Sequence, residues 1–243
     1  MEPQLRLRRE GQHDLPLLAW RFDEPRLAIS SSPLGGGIGP RRWILNVTVP
    51  DGYARRDPDR HLRKLGVSLG LPGKGVGLLT AVDVRHHRLV TDDDAAVVAT
   101  VGIREPLWAA VAVDHPTAVP ARKVGTINVV AFVPERLSEA ALVNAVGTIA
   151  EAKAQAFADL GLAGTGTATD AVCVVCPDTG RGHPFGGPRS AWGARLARAT
   201  HRAVVDGARA QADWHTTHGD HPEGPSPAAD RAPAASTAAE VTP

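Results

Sequence analysis

The sequence predicts an α/β fold: a single domain with a mixed, mostly buried β-sheet flanked by helices, followed by a disordered C-terminal tail. Three observations predict it. Apolar runs of strand length at 43–50, 125–134 and 171–176 are rich in valine and isoleucine and are stopped by proline. Two long segments, 138–160 and 191–210, repeat apolar residues at helical spacing. Hydrophobic residues make up 43% of the chain but aromatics only 4%, so the core must be built from Ala, Val, Leu and Ile. Strands covered by alanine-rich helices suit that composition.

The 243 residues are enough for one domain with a sizeable core, assigned to 1–211. A formal net charge of +1 argues against the strong field that nucleic-acid or anionic-membrane partners call for. No run approaches the length of an apolar membrane span. Residues 1–12 are polar and lack the apolar stretch of a secretory signal. The expected location is therefore cytoplasmic.

The elements follow in order. Residues 4–9 alternate Leu5 and Leu7 with polar side chains, as an edge strand does. Residues 17–22 and 26–30 read as a hairpin turning at Asp23-Glu24-Pro25. Residues 30–40 are glycine-rich but lack the Gly-Lys-Ser/Thr ending of a phosphate-binding loop, and spacing alone makes them a flexible connector. The strand at 43–50 contains Asn46, a residue type depleted in strands. Asp57 at N-cap and Pro58 at the first position open a helix reaching Gly70, with Leu62, Leu65 and Leu69 on one face. Residues 75–84 form a strand carrying Thr80 and Asp83. Residues 89–91 and 95–103 pair across the Asp92-Asp93-Asp94 turn. The apolar segment 107–113 fits a strand or a short helix, and 117–123 is a proline-containing loop.

Residues 125–134 form another strand with one buried-looking asparagine, Asn128. Ser138 is the N-cap of the long helix, with Glu139 favourable at its positive end. The helix stripe of Leu142, Val146, Ile149, Phe157 and Leu160 also carries Lys153. After the strand at 171–176, residues 184–190 form a second Gly/Pro loop, and 191–210 are the final amphipathic helix. From 212 to 243 Pro, Ala, Thr, Ser, Asp and Glu leave little to bury, which marks a disordered tail. Its His215, His218 and His221 lack a second ligand cluster, so no metal site is assigned there.

The stretch Gly164-Thr165-Gly166-Thr167-Ala168-Thr169-Asp170 is the densest polar feature. It joins the long helix to the strand at 171–176, and its glycines and threonines present backbone and hydroxyl donors. Asp170 stands at the mouth of that strand. Asn46, Thr80, Asp83, Asn128, Glu151, Lys153, Thr165, Thr167 and the loop at Gly186-Gly187 complete the set of polar groups at strand ends and loops. Cys173 and Cys176 have the spacing of a zinc or redox pair, but positions three apart on a strand face opposite ways, so both read as core residues.

The ordered motifs Ser31-Ser32-Pro33-Leu34-Gly35-Gly36-Gly37, Asn46 to Pro50, Leu79-Thr80-Ala81-Val82-Asp83, Gly125-Thr126-Ile127-Asn128, Glu151-Ala152-Lys153 and Gly164 to Asp170 resemble the adenosylcobinamide amidohydrolases of corrinoid salvage. The resemblance spans roughly residues 29–206. It implies hydrolysis of the amide joining the corrin propionyl arm to aminopropanol, which turns adenosylcobinamide into adenosylcobyric acid for coenzyme B12 synthesis. It implies a small-molecule corrinoid substrate rather than a cofactor, leaves metal dependence and oligomeric state open, and assigns no catalytic roles.

Amide hydrolysis needs an activated water or nucleophile, oxyanion stabilisation and an acid for the amine. Donors of Gly164 to Thr169 can meet the oxyanion, Asp170 or Glu151 can serve as base, and Lys153 can supply positive charge. Glu151 and Lys153, two apart on a helix, face nearly opposite ways. Ser32, Gly35, Gly36, Gly37, Asn46, Thr80, Asp83, Thr126, Asn128, Gly164, Gly166 and Gly187 are the expected substrate-binding positions. Two other readings stand beside this one: a threonine-nucleophile amidase using Thr165 or Thr167, with self-processing, and a non-catalytic corrinoid-binding protein.

Overall fold

A computed structural model of the chain describes residues 1–110 and 125–218. The strands are β1 (Gln4–Glu10), β2 (His13–Ser30), β3 (Gly37–Thr48), β4 (Gly75–Thr80), β5 (Arg88–Asp92), β6 (Ala95–Gly102), β7 (Thr126–Phe132) and β8 (Ala171–Pro177). The helices are α1 (Pro58–Ser68), α2 (Glu139–Asp159) and α3 (Ala191–His218), with a 3-10 turn at Val84–His86. All eight strands form one mixed sheet in the order β4-β3-β2-β8-β7-β6-β5, and β1 pairs with β2 beside that path. The pairs β3–β4 and β7–β8 are parallel and the others antiparallel. The α/β architecture expected from the sequence is the one observed.

Strict alternation sorts the strand residues into two faces. On β7, Ile127, Val129 and Ala131 face the α2/α3 layer, while Val130 and Phe132 face the other way. Cys176 falls with the first group and Cys173 with the second, so the two thiols lie in different cores and both are free and buried. The second face closes on itself. Trp20 of β2 meets Phe132 of β7 with ring centroids 5.8 Å apart, although the two residues share no ladder. The sheet therefore curls, as accumulated strand twist allows, and encloses Leu18, Ile44, Leu78, Val98 and Val130. Helix α1 covers the outer face of β2 and β3 through Leu62, against Leu17, Trp43 and Leu45.

Three expectations are corrected. The hairpin expected around Asp23-Glu24-Pro25 is one 18-residue strand, β2, with a register shift between Arg21 and Arg26. The strand changes partner there: Leu17 to Ala19 lie between β1 and β3, Arg26 to Ser30 between β8 and β3. Pro25 falls in that irregularity, where it costs no ladder bond. The real hairpin turn is Gly11-Gln12, with Gly11 at φ 60°. The expected N-cap Asp57 makes no capping bond, because its carboxylate is held by Arg55 at 3.0 Å. The final helix runs past residue 211 to His218.

Other expectations hold: Ser138 accepts from Ala141 N–H at 3.1 Å as an N-cap should, and β5 and β6 pair across the acidic turn. The loop at 117–123, residues 111–113 of the segment 107–113 and the tail beyond His218 lie outside the described residues. No helix among the described residues is long and apolar enough to cross a membrane.

Candidate active site

The Lys153 stripe position and the loop before β8 meet. Helix α2 runs antiparallel to β8, and its apolar side packs onto the sheet through Leu142, Ile149 and Phe157. One turn from Ile149, Lys153 reaches past that core, and its Nζ pairs with Asp170 Oδ2. Asp170 also accepts the Ile127 N–H at 2.8 Å, the Thr167 N–H at 3.0 Å and the Thr167 hydroxyl. A carboxylate offers about four lone-pair sites, and four donors fill them. Gly166 makes this possible, since a Cβ there would collide with Lys153 Nζ and Asp170 Oδ2.

The rest of the loop is fastened to its neighbours. Leu107 N–H donates to Gly166 carbonyl at 2.9 Å, and Thr165 N–H to Leu107 carbonyl at 2.8 Å. Gly164 is buried against Leu107. The Thr126 and Thr169 hydroxyls lie 2.6 Å apart, and the Gly125 carbonyl is within bonding distance of the Thr167 and Thr169 hydroxyls. The amides of Gly164, Thr165 and Thr167 are thus spent internally. Those of Ala168 and Thr169, both exposed, have no acceptor among the described residues. Glu151 is exposed on α2 and makes no hydrogen bond or ion pair among the described residues. Of the expected catalytic residues, Asp170, Lys153, Thr165 and Thr167 come together and Glu151 stays apart.

The two strand asparagines touch. Asn128 Nδ2 donates to Asn46 Oδ1 and to the Leu79 carbonyl, both at 2.9 Å, and Asn46 Nδ2 donates to the Thr100 hydroxyl at 3.1 Å. All three side chains are fully or almost fully buried. The two acceptors fix the orientation of the Asn128 amide and leave its Oδ1 buried without a partner among the described residues. This chain of polar groups joins β3, β4, β6 and β7 where the sheet curls over. Next to it the Thr80 hydroxyl accepts from Val82 N–H at 3.1 Å. Asp83 caps the 3-10 turn and is paired with Arg85; burial raises its carboxyl but the bonds to Arg85 outweigh it and hold it below the usual range.

The glycine-rich loop 31–37 joins the start of β8. Ser30 hydroxyl donates to the Val172 carbonyl at 3.0 Å and accepts from Ser32 N–H at 3.1 Å. Ser32 hydroxyl donates to the Leu34 carbonyl at 2.8 Å. Gly35, at φ 75°, packs on the Gly75 carbonyl. Buried Arg41 donates to the Gly35 carbonyl at 3.0 Å and holds the turn through Gly36 into Gly37. Gly187 belongs elsewhere: Gly193 of α3 packs onto the Gly186 and Gly187 carbonyls, and Thr148 of α2 donates to Gly186 at 2.9 Å. That loop is a spacer between two helices.

Sequence reasoning missed Thr100 and Arg41. Thr100 was findable, because pairing β6 with β7 sets it opposite Asn128. Among the described residues no group of three or more His, Cys, Asp or Glu side chains is placed to hold a metal.

The adenosylcobinamide amidohydrolase family model matches residues 2–216. An adenosylcobinamide amidohydrolase of Methanosarcina mazei is 29% identical over 186 residues, covering 73% of this chain and 88% of that protein. Another, of Halobacterium salinarum, is 34% identical over 188 residues, covering 75% of this chain and 79% of that protein. Every motif of the site described above falls inside the matched span, and the chain belongs to the adenosylcobinamide amidohydrolase family.

Proposed function

We propose that the protein hydrolyses adenosylcobinamide at the amide between the corrin propionyl arm and aminopropanol, releasing adenosylcobyric acid for corrinoid salvage in the cytoplasm. The observation that carries this reading is the family membership together with the names of the two relatives. The geometry adds a chemical account. Water adds to the amide carbon, the C–N bond breaks, and the amine leaves with a proton. Negative charge develops on the carbonyl oxygen only as the tetrahedral state forms, so fixed donors there help the reaction more than they help binding.

The exposed N–H groups of Ala168 and Thr169 and the ammonium of Lys153 are such donors, held by Asp170. With its lone pairs occupied, Asp170 acts as the anchor of the loop rather than as a base for free water. The buried polar chain of Asn46, Asn128 and Thr100, with Thr80 beside it, lies beneath the surface and, with the turn at Ser32 and Gly35, braces the floor on which the corrinoid sits.

One observation favours a second reading. The Thr167 hydroxyl already lies on Asp170 Oδ1, the placement that a threonine nucleophile with a carboxylate base needs. Incubation of purified protein with adenosylcobinamide, followed by mass analysis of the corrinoid and of released aminopropanol, tests the main reading. Unchanged substrate would sink it. An acyl adduct on the peptide carrying Thr167, trapped by acid quench, would select the second.

A further inference from the structure

Asp170 is saturated and Glu151 stands apart, so a proton acceptor for the attacking water has to come from elsewhere. A cluster of titratable side chains lies where β1, the turn after β3 and the start of α1 meet. His61 of α1 is buried. Its Nδ1 is 2.8 Å from the hydroxyl of Tyr53, the only tyrosine in the chain, and the two rings stack with centroids 5.6 Å apart. On its other side, His61 Nε2 is 3.4 Å from Glu10 Oε2. Glu10 is in turn held by Arg8 at 2.8 Å, and Arg8 also donates to the Thr48 carbonyl at 2.9 Å. The facing Glu10 carboxylate favours a proton on Nε2, which leaves Nδ1 to accept from the Tyr53 hydroxyl. The series then has one direction, from Tyr53 to His61 with Glu10 behind it, and Tyr53 is only half-buried.

One side chain links the turn that carries Tyr53 to the surroundings of the loop. The turn closed by Tyr53 N–H on the Pro50 carbonyl carries Asp51, which pairs with Arg104 at 3.0 Å. The Arg104 backbone packs on Gly125, whose carbonyl lies 2.8 Å from the Thr167 hydroxyl and 3.1 Å from the Thr169 hydroxyl. One arginine side chain therefore spans from the Tyr53 turn to the Thr167 loop.

We infer that Tyr53, His61 and Glu10 form the proton relay of the amide hydrolysis, with the Tyr53 hydroxyl touching the attacking water. This rests on the proposed hydrolase reading. As the water oxygen bonds to the amide carbon, its proton passes to Tyr53 Oη while the Tyr53 proton passes to His61 Nδ1. Glu10 steadies the imidazolium that forms. When the C–N bond breaks, the proton returns through Tyr53 to the aminopropanol nitrogen. Tyr53 is the catalytic group here, and His61 and Glu10 act through it.

The surroundings of His61 suit a base that is neutral in the resting enzyme. Burial pushes it below its ordinary value, Glu10 pulls it back up, and Arg55 and Arg8 push it down again. Asp57 of the adjoining turn is paired with Arg55, and the turn also carries Arg56 and Asp51, the latter paired with Arg104.

The experiment measures pH profiles of kcat and KM on adenosylcobinamide for the wild-type full chain and for Y53F, H61N and E10Q. Y53F keeps the ring and should lose on the order of a hundredfold in kcat with KM within a few-fold. The wild-type acid limb should vanish in H61N. In E10Q it should move to lower pH, because the carboxylate that favours the imidazolium is gone. A merely structural role would leave the acid limb in place in E10Q. Wild-type kcat in Y53F, or an acid limb unmoved in both His61 and Glu10 variants, overturns the relay alone. Wild-type protein that releases no aminopropanol overturns the hydrolase reading and the relay together.

Discussion

Lys153 on α2 and Asp170 at the mouth of β8 form an ion pair whose side chains keep only 17% and 11% of their surface in solvent. The pair ties the helix layer to the loop that carries the candidate oxyanion donors. Asp170→Asn keeps the shape and removes the charge. Hydrogen bonds to a charged group are worth about 1.5–3 kcal/mol, so D170N should lose about that much stability. Its kcat should fall on the order of a hundredfold, because Lys153 and the loop lose their anchor. Thr167→Val should lower kcat more than it raises KM. Glu151→Gln should turn over at the wild-type rate. Thermal melts and steady-state kinetics check all three, and a slow E151Q enzyme would return Glu151 to the site.

The Asn46–Asn128 pair gives a second prediction. Asn46→Ala leaves an Asn128 amide hydrogen and the Thr100 hydroxyl short of a partner in a sealed interior. A stranded buried polar group costs about 1–3 kcal/mol. N46A and N128A should each destabilise by that order, and the double variant by less than the sum, since both break the same chain. Additive losses in urea titrations would show that the two asparagines act separately.

The cysteines predict an inert thiol. Burial pushes the Cys173 thiol up to about 12, with a Ser30 bond and Arg41 pulling weakly the other way. At pH 8 the folded protein should leave Cys173 unmodified by iodoacetamide, and unfolding should expose it. A thiol raised on folding stabilises the protein below the unfolded thiol's value, and that contribution is lost as pH climbs above it towards 12. Cys→Ala at either position should cost about 1 kcal/mol through lost packing and leave kcat intact. Rapid alkylation of the native protein would contradict the buried placement.

The end of the chain divides at α3. Gln211 Oε1 accepts the Ile103 N–H at 2.8 Å, and its Nε2 donates to the Ile103 carbonyl at 3.3 Å, closing the ladder end beyond β6. A chain stopped after His218 should keep its melting temperature and its activity. One stopped before Gln211, or the Q211A variant, should lose about 1 kcal/mol. A large loss on removing only 219–243 would show that the tail packs on the domain.

What could be read from the sequence was whatever repeats with a short period. Alternation located β1 and apolar runs of strand length located β3, β7 and β8, the 3.6-residue stripe located α2 together with Lys153, and two positions on a helix sufficed to set Glu151 and Lys153 apart. The β2 strand was misread because Asp23-Glu24-Pro25 carries turn chemistry, while what keeps β2 continuous is pairing to strands distant in sequence. The curl of the sheet depends on accumulated twist, so the meeting of Asn46 with Asn128 had no local signal beyond the recurrence of an asparagine in a strand. His61 and Tyr53 had none either, since an isolated histidine acquires its partners only when α1 folds against β1.

The central claim is that water cleaves the aminopropanol amide. The direct measurement is turnover of adenosylcobinamide in water enriched in oxygen-18, with the mass of both products read. The account predicts one labelled oxygen in the new carboxylate of adenosylcobyric acid and unlabelled aminopropanol. Label in the amino alcohol, or substrate that leaves the incubation unchanged, would contradict it.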